Sequence, residues 1–453
     1  LGREKPALAR AAPEDRVGAV EQKIKDFARQ QGVPVVGVAG PERLDGPPSL
    51  DPTYTMRGAR SIVSLAAPMD VPAIEDFLAK KSPTPHNLDQ LRMNQQLHRA
   101  ASFLAGYIRS LGYRAAAVPS NNTYRRSPDM FATHPSFSHR FGAIAAGIAA
   151  QGWSGNVMTR EFGAAIYLGT VVTEAVLASD PPLPPRAFVD GNCRTCKLCE
   201  KTCASGMFEP QREEYVLLNG ELHPRGKRRN LDFCNATCFG LHSLSRDKTW
   251  TSWGTRWIPE WVDNLPDGSN KLKVRYALLK AGSLSGDSTP RYDFIRRIGA
   301  LLYPKTVIDE YLDSHPESRP EAERFRDCFQ PFAKKIGVAN AGDLADERIL
   351  TCGMCAMICG PTVEETARRF RLLEQGGLVV SAPDGTTAIA RTYLEAIKSR
   401  SCLPKVSAWK MLRDAVASTL LWSRHYLGVE PRSIIQGWRY DRQLKRAVSR
   451  LQR

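Results

Sequence analysis

Two runs of cysteine constrain this chain more than any other feature of its sequence. The first reads Cys193-Arg-Thr-Cys196-Lys-Leu-Cys199-Glu-Lys-Thr-Cys203 and the second Cys352-Gly-Met-Cys355-Ala-Met-Ile-Cys359. Soft thiolate sulfur suits iron, and a two-residue gap lets successive thiolates reach neighbouring corners of one iron–sulfur cubane. In two-cluster proteins with this pattern, the last cysteine of one run ligates the cluster held by the other. That rule groups Cys193, Cys196, Cys199 and Cys359 around one cluster, and Cys203, Cys352 and Cys355 around a second. The second set is one thiolate short. Cys234, Cys238 and Cys328 lie between the runs, and any of them can supply it. Zinc explains the pattern less well, because a CxxCxxCxxxC run places more thiolates together than one tetrahedral ion needs. A disulfide framework suits small secreted chains with thin cores, whereas this chain has 453 residues and only 11 cysteines.

A chain of this length ordinarily makes two or three domains and buries a large core without covalent staples. Hydrophobic content of 42% and charged content of 24% place it with water-soluble globular proteins. No apolar run is long enough to cross a bilayer. The formal net charge of +16 suits anions, nucleic acid, acidic lipid or an acidic redox partner, and equally a merely soluble basic surface. The first residue is Leu1, and neither a twin-arginine nor an apolar signal region is visible. The compartment is left open, as cytoplasmic or as exported and peripherally attached to a membrane.

Residues 1–16 read as a loose arm. Val17 to Gln31 carries a helical apolar stripe closed by Gly32, and Val33 to Ala39 and Gly58 to Leu65 are strand candidates. A long helix over Leu88 to Leu111, stopped by Gly112, precedes a strand over Tyr113 to Val118. Pro119 to Arg140 is a polar loop of the kind that carries function. The small residues Gly142 to Ala150 suggest a closely packed helix, and Ile166 to Thr173 a buried strand. Alternation of helix and strand argues for an α/β or α+β layer over residues 17–185. The stiff segment Asp180-Pro-Pro-Leu-Pro-Pro185 then delivers the chain to the first cysteine run.

The metal-binding module is expected in two parts, 186–240 and 350–375, around an insertion over 241–349. Within the insertion, Trp250, Trp253, Trp257 and Trp261 form an aromatic row suited to a core or to a flat ligand. Charged helices are expected over Tyr292 to Leu302 and Pro320 to Lys335. Thr362-Val-Glu-Glu365 is a capping-box start. Residues 376–453 read as a basic helical extension, with an apolar stripe at Trp409, Leu412, Val416 and Leu420. From Arg432 onward seven Arg or Lys residues face one Asp, so the tail either docks on its own body or meets an acidic partner, a membrane surface or RNA.

Several stretches precede the cysteine run in the order found in corrinoid iron–sulfur reductases. They are Gly58-Ala-Arg-Ser-Ile-Val-Ser64, Leu111-Gly-Tyr113, Ala146-Gly147, Gly152-Trp-Ser-Gly155, Thr159-Arg-Glu-Phe-Gly163 and Leu168-Gly-Thr-Val-Val-Thr173. The chain resembles the reductive dehalogenase superfamily, which includes epoxyqueuosine reductase. The resemblance implies a nitroreductase-like domain holding base-off cobalamin, followed by a ferredoxin-like module with two [4Fe-4S] clusters. It also implies Cys234 as the fourth ligand of the second cluster, with Cys238 in reserve, and places Gly58, Asn156, Arg160, Phe162 and Gly163 at the corrinoid.

Thr159 to Gly163 is more similar to the corresponding stretch of dehalogenases than to that of epoxyqueuosine reductase. A tRNA substrate would better explain the net charge. Where the family usually has proline after each run's final cysteine, Ala204 and Gly360 stand here. Where it has an acidic or tyrosine proton donor, this chain has His139 and Arg140, with Tyr124 upstream. The resemblance therefore implies a reductase fed by a low-potential donor, whether ferredoxin, flavodoxin or a membrane quinol system, and acting on a small halogenated substrate. The alternatives are a tRNA-modifying reductase and a corrinoid-free electron-transfer subunit. His139 or Tyr124 would give the proton, and Arg125, Arg126, Arg140 and Arg160 are candidates to stabilise the leaving anion.

Overall fold

The computed structural model describes residues 19–118, 125, 135–229, 234, 244–252, 353–381, 387–398 and 431–452. The expected insertion helices, the helix near Trp409 to Leu420, and Trp253, Trp257, Trp261, Tyr124, Arg126, Cys238, Cys328 and Cys352 lie outside these residues.

Helix α1 (Ala19–Gln30) buries Ile24 and Ala28, and Gly32 at φ +81 turns the chain into strand β1 (Val35–Ala39). Strand β2 (Ser61–Pro68) leads to α2 (Val71–Leu78), whose first turn is capped by Asp70 accepting from the Ala73 amide at 2.9 Å. The long helix α3 (Thr84–Ser110) ends at Gly112, φ +96, before β3 (Ala115–Val118). Next come α4 (His139–Ala145), the short pair β4 (Ala150–Gln151) and β5 (Val157–Met158), and β6 (Ile166–Thr173). The small-residue stretch is helical only to Ala145. Gly147 must adopt φ +71, where a Cβ would stand 2.2 Å from the Pro181 carbonyl oxygen, so the chain turns there instead of continuing.

Strands β1, β2, β6 and β3 form one sheet in that order, antiparallel throughout, so the architecture is mixed α/β of the α+β kind. On one face α1 and α3 bury Ile24, Leu97, Leu104 and Ile108 against Val63 and Val171. On the other, α4 packs Ala143 and Ile144 over Ile62 and Val172. A strand covered on both sides has no polar face, which is why β6 reads as an almost unbroken apolar run. Ser61 pairs with Thr173 at one end of the central strands and Pro68 with Ile166 at the other. The Ile166 end leads to the cysteines, since the Ala164 amide donates to the Cys359 carbonyl at 3.0 Å.

The Pro-rich connector is pinned at its start. Asp180 accepts from the Val38 amide at 2.9 Å and pairs with Lys25 at 2.7 Å. After the short helix α5 (Leu198–Lys201), strands β7 (Phe208–Leu218) and β8 (Glu221–Arg228) form a hairpin closed by Asn219 and Gly220, both at positive φ. The second cysteine run supplies α6 (Met354–Met357). It is followed by α7 (Val363–Gln375), β9 (Leu378–Ser381), β10 (Thr387–Ala390) and α8 (Tyr393–Lys398). Thr362 caps α7, accepting from the Glu365 amide at 3.2 Å. Trp250 is a core residue, packed with Phe77 of α2 and Met354.

The basic tail forms α9 (Pro431–Leu451), and it docks on the body. Arg432 and Gln436 reach Asp51 at 3.1 and 2.8 Å, and the Tyr440 hydroxyl accepts from the Leu217 amide at 3.1 Å. No helix of the described residues is long and apolar enough to cross a membrane.

Candidate metal centre

Ahead of Cys199 and of Cys355 the chain turns alike. In Cys196-Lys-Leu-Cys199 the residue after the first cysteine, Lys197, is left-handed (φ +45), and the equivalent Gly353 ahead of Cys355 is left-handed too (φ +56). Each left-handed residue starts a short helix, α5 or α6, that carries the next cysteine. Gly353 takes this conformation without strain, whereas Lys197 is held in it by its surroundings.

Cys193, Cys196, Cys199 and Cys359 line a single pocket together with Trp153 and Met158. The Met158 sulfur lies 3.8 Å from Cys193 Sγ and 3.9 Å from Cys359 Sγ, filling the floor with a soft apolar atom. Cys203, Cys234 and Cys355 form a neighbouring group whose charges act on one another, and Cys355 also adjoins Cys199 and Cys359. Each group thus takes a cysteine from the other run. All seven described cysteines are free thiols. Among the described residues no three ligating side chains converge as they would on one ion, and cluster thiolates need not, because iron and sulfide lie between them.

Burial pushes the Cys193 thiol up to about 11 and Cys359 to about 12, and raises Cys199 well above the ordinary thiol range, with the neighbouring thiols adding to the effect. Cys203 and Cys355 are raised for the same first reason. Such groups are neutral at pH 7 unless a metal takes the proton's place.

One turn serves both groups. In Gly152 to Asn156 the Gly152 amide donates to the Asn156 carbonyl at 2.8 Å, and Gly155 at φ +78 closes the bend. The Trp153 backbone amide donates to the Cys193 thiol, and Asn156 Nδ2 donates to Cys355 Sγ at 3.2 Å. Trp153 Nε1 is tied to Glu200 at 2.5 Å, and the Lys197 ammonium sits 4.4 Å over the indole. Arg228 lies across Gly155 so closely that a Cβ there would stand 1.6 Å from Nη2, which donates to the Ser154 carbonyl at 2.8 Å. Arg228 Nε is buried without a hydrogen-bond partner among the described residues. Burial lowers Arg228 to about 10. That value already includes the charges of Arg225 and Arg140, which act in the same direction, and those of Cys234 and Glu214, which oppose them. Cys203 accepts from the Met207 amide at 3.4 Å and contacts the Ser205 hydroxyl at 3.2 Å.

The residues expected at a corrinoid fall in two places along the chain's fold. Gly58 lies beyond the Ser61 end of β2, away from the cysteines, in a turn (φ +85) against Arg114. Asn156 is engaged by Cys355. Gly163, φ +62, closes a tight loop with Thr159 and abuts the second cysteine run, where a Cβ would stand 2.3 Å from the Gly360 carbonyl oxygen. Arg160 is exposed and Phe162 half-buried.

Among the expected catalytic groups, His139 is buried at the start of α4, with Nδ1 2.8 Å from Thr170 Oγ1 in the middle of β6. Arg140 is exposed, and its charge reaches Cys355. Arg125 departs from its expected anion-stabilising role. It is buried 3.9 Å over the Tyr54 ring, donates to the Ser136 carbonyl at 3.2 Å, and braces the segment on which α9 docks.

Sequence reasoning missed Trp153, Met158 and Arg228 as neighbours of the thiols. It also missed Arg369, buried under α6 with Nη1 donating to the Met357 carbonyl at 3.0 Å. Only Arg369 left a local signal, its i,i+4 pairing with Glu365 on α7.

No protein-family model and no curated protein matches the chain. Among solved structures, an epoxyqueuosine reductase from Bacillus subtilis aligns at 14% identity over 76% of this chain and 82% of its own, with a TM-score of 0.36. An epoxyqueuosine reductase bound to a tyrosine tRNA stem loop carrying epoxyqueuosine aligns at 12% identity over 95% of this chain and 100% of its own, also at 0.36. The catabolic reductive dehalogenase NpRdhA aligns at 14% identity over 47% of this chain, with a TM-score of 0.34. That match spans 28% of the dehalogenase, well under two thirds of its length. Both branches of the superfamily that the sequence resembles are represented, and at these TM-scores neither carries an activity, substrate or partner over to this chain.

Proposed function

We propose that the chain is an iron–sulfur oxidoreductase that passes electrons singly through two [4Fe-4S] clusters to a small organic substrate, in the manner of reductive dehalogenases. Cys193, Cys196, Cys199 and Cys359 would hold the first cluster, and Cys203, Cys234, Cys352 and Cys355 the second. The observation that carries this reading is the pocket walled by three cysteines of the first run and one of the second. Its chemistry fits such a group: soft sulfur, an apolar floor at Met158 and Trp153, and an N–H donor aimed at Cys193.

The clusters supply single-electron storage at low potential when bound. The protein's own share is to exclude water with Trp153 and Met158, to fix thiolate orientation with Trp153 and Asn156, and to keep the two groups adjacent. A low-potential donor such as a ferredoxin, flavodoxin or membrane quinol system would feed them. The resemblance also implies cobalamin, for which Asn156 and Gly163 would stand beside the second cysteine run, with Gly58 toward the other end of β2. Arg140, a permanent cation beside the second group, suits stabilisation of a leaving anion better than buried His139 suits proton transfer.

The exposed side of α9 favours a second reading. Arg439, Arg442, Lys445, Arg446 and Arg450 are exposed there beside Trp438, which suits a polyanion such as tRNA, the ligand in one of the matched epoxyqueuosine reductase structures.

Anaerobic purification with iron, sulfide and cobalt analysis tests the proposal. About eight irons per chain are expected, and a colourless protein carrying zinc or disulfides would refute it. Binding of tRNA that weakens steeply with salt would select the second reading.

A further inference from the structure

Cys359 follows a helix that cannot hold it alone. Helix α6 has four residues, too few to be stable by itself, and its last carbonyl groups need donors from elsewhere. Helix α7 supplies them. Arg369, 1% exposed, donates through Nη1 to the Met357 carbonyl at 3.0 Å and pairs with Glu365 one turn earlier. Its burial is costly, since Nε has no hydrogen-bond partner among the described residues. Thr366, also buried, accepts from the Gly360 amide at 3.1 Å and donates its own proton to the Thr362 carbonyl at 2.8 Å. It walls the pocket of Cys193, Cys196, Cys199 and Cys359 as well. Arg369 and Thr366 therefore grip the chain two residues before Cys359 and one residue after it. Gly360 stands where the resemblance leads one to expect proline, and a proline there has no N–H to give to Thr366. Helix α7 is itself seated on α2, where Phe370 and Leu373 pack with Ile74, Phe77 and Leu78 and Arg368 pairs with Glu75.

Resting on the two-cluster reading, we propose that Thr366 and Arg369 are positioning residues for the first cluster: they fix the Cys359 turn so that its sulfur closes the set begun by Cys193, Cys196 and Cys199. The bond from Gly360 to Thr366 does for this turn what the ring of a proline does by fixing the backbone. Both residues act through Cys359 and neither is a ligand. Thr366 grips the chain after Cys359, on the side away from Cys355, so its influence falls on one group of thiols and not on the other.

The test is the rate at which an iron(II) chelator strips the full, anaerobically prepared chain, with the two couples followed by electron paramagnetic resonance. The variants are Thr366→Val, Thr366→Ser, Gly360→Pro, Arg369→Met and Arg368→Met. Loss of a group that orients a metal ligand weakens metal binding about 10–100-fold. Thr366→Val, which keeps the shape and loses the hydroxyl, should therefore release about four irons at least tenfold faster and the other four at the wild-type rate. Thr366→Ser should restore the wild-type rate. Gly360→Pro, which removes the donor, should behave as Thr366→Val does, and Arg369→Met should add a lower Tm. Arg368→Met, which loosens α7 on α2 without touching the Cys359 turn, should leave both rates alone. Wild-type release from Thr366→Val, a uniform acceleration of all the iron, or tighter iron in Gly360→Pro would overturn the proposal while leaving the clusters in place. A wild-type preparation without about eight irons would instead refute the reading on which it rests.

Discussion

Replacement of Gly163 by alanine separates two roles for one residue. Gly163 is left-handed at φ +62, and its absent Cβ would lie 2.3 Å from the Gly360 carbonyl oxygen and 2.6 Å from that of Cys359. Ordinary contact begins near 3.4 Å, so the strand of backbone carrying Cys359 must retreat by about 1 Å. Both atoms are main chain, so no rotamer change relieves the clash. The left-handed conformation costs alanine about 1–2 kcal/mol, and overpacking a tight site costs about 1–3 kcal/mol more. The 3.0 Å bond from the Ala164 amide to the Cys359 carbonyl is strained in the same movement. A total of about 2–5 kcal/mol corresponds to a drop in Tm of roughly 5–15 °C for a unit of this size. Because Cys359 closes the first pocket, iron should fall from about eight to about four per chain, measured with Tm on anaerobically purified protein. A Gly163→Ala variant with full iron and unchanged Tm would refute the reasoning. One that kept its iron but lost cobalamin would return Gly163 to the role that the resemblance implies.

Lys80 is buried, with its ammonium donating to the Leu78 carbonyl at 3.1 Å, and burial lowers it to about 7. Between pH 7 and 10.5 the unfolded chain therefore binds the proton that the folded one releases, and stability rises with pH across that window. Lys80→Met should raise the free energy of unfolding most at or below pH 7, by up to about 4 kcal/mol, and an equal gain at pH 10 would exclude burial of the charge as the cause. Burial works to raise Asp51, but hydrogen bonds from Thr53 and Gln436 and the charge of Arg432 outweigh it and hold the carboxyl low. Its contribution is present above pH 3.8 and is lost as pH falls through the folded value. Asp51→Ala should free α9 and speed proteolytic removal of the tail at pH 7, whereas wild-type cleavage rates would show that other contacts hold the helix. His139→Gln is expected to lower stability by about 1 kcal/mol through its Thr170 bond and to leave single-turnover reduction per cluster unchanged. A large loss in that assay would make His139 the proton source after all.

Where local physics decides, the sequence was readable. Ile166 to Thr173 has no polar alternation because β6 is covered on both faces, and Thr362 with Glu365 marks the start of α7 as its chemistry requires. The hairpin of β7 and β8 was also within reach, since Asn219-Gly220 is the pair that a tight two-residue turn demands. Contacts between distant segments left no such trace. Nothing around Asn156 announces that its amide reaches Cys355, nor around Arg228 that it crosses Gly155. The spacing rule put Cys359 beside the first run, yet Trp153 and Met158, which wall the same pocket, come from a turn and the short strand β5 after it, with no metal-ligand pattern of their own.

The exchange of one cysteine between the runs bears on how the molecule is made. A ribosome delivers Cys193 to Cys203 long before Cys355 and Cys359, so a growing chain carries the earlier thiols unfinished through all that is synthesised in between. Neither centre can close until the later segment has emerged and swung back against the Gly163 loop. If the proposed clusters are bound, their loading would be a late, nearly whole-chain event, and a nascent chain stalled within the intervening stretch would expose open sulfur to oxygen and to stray metal.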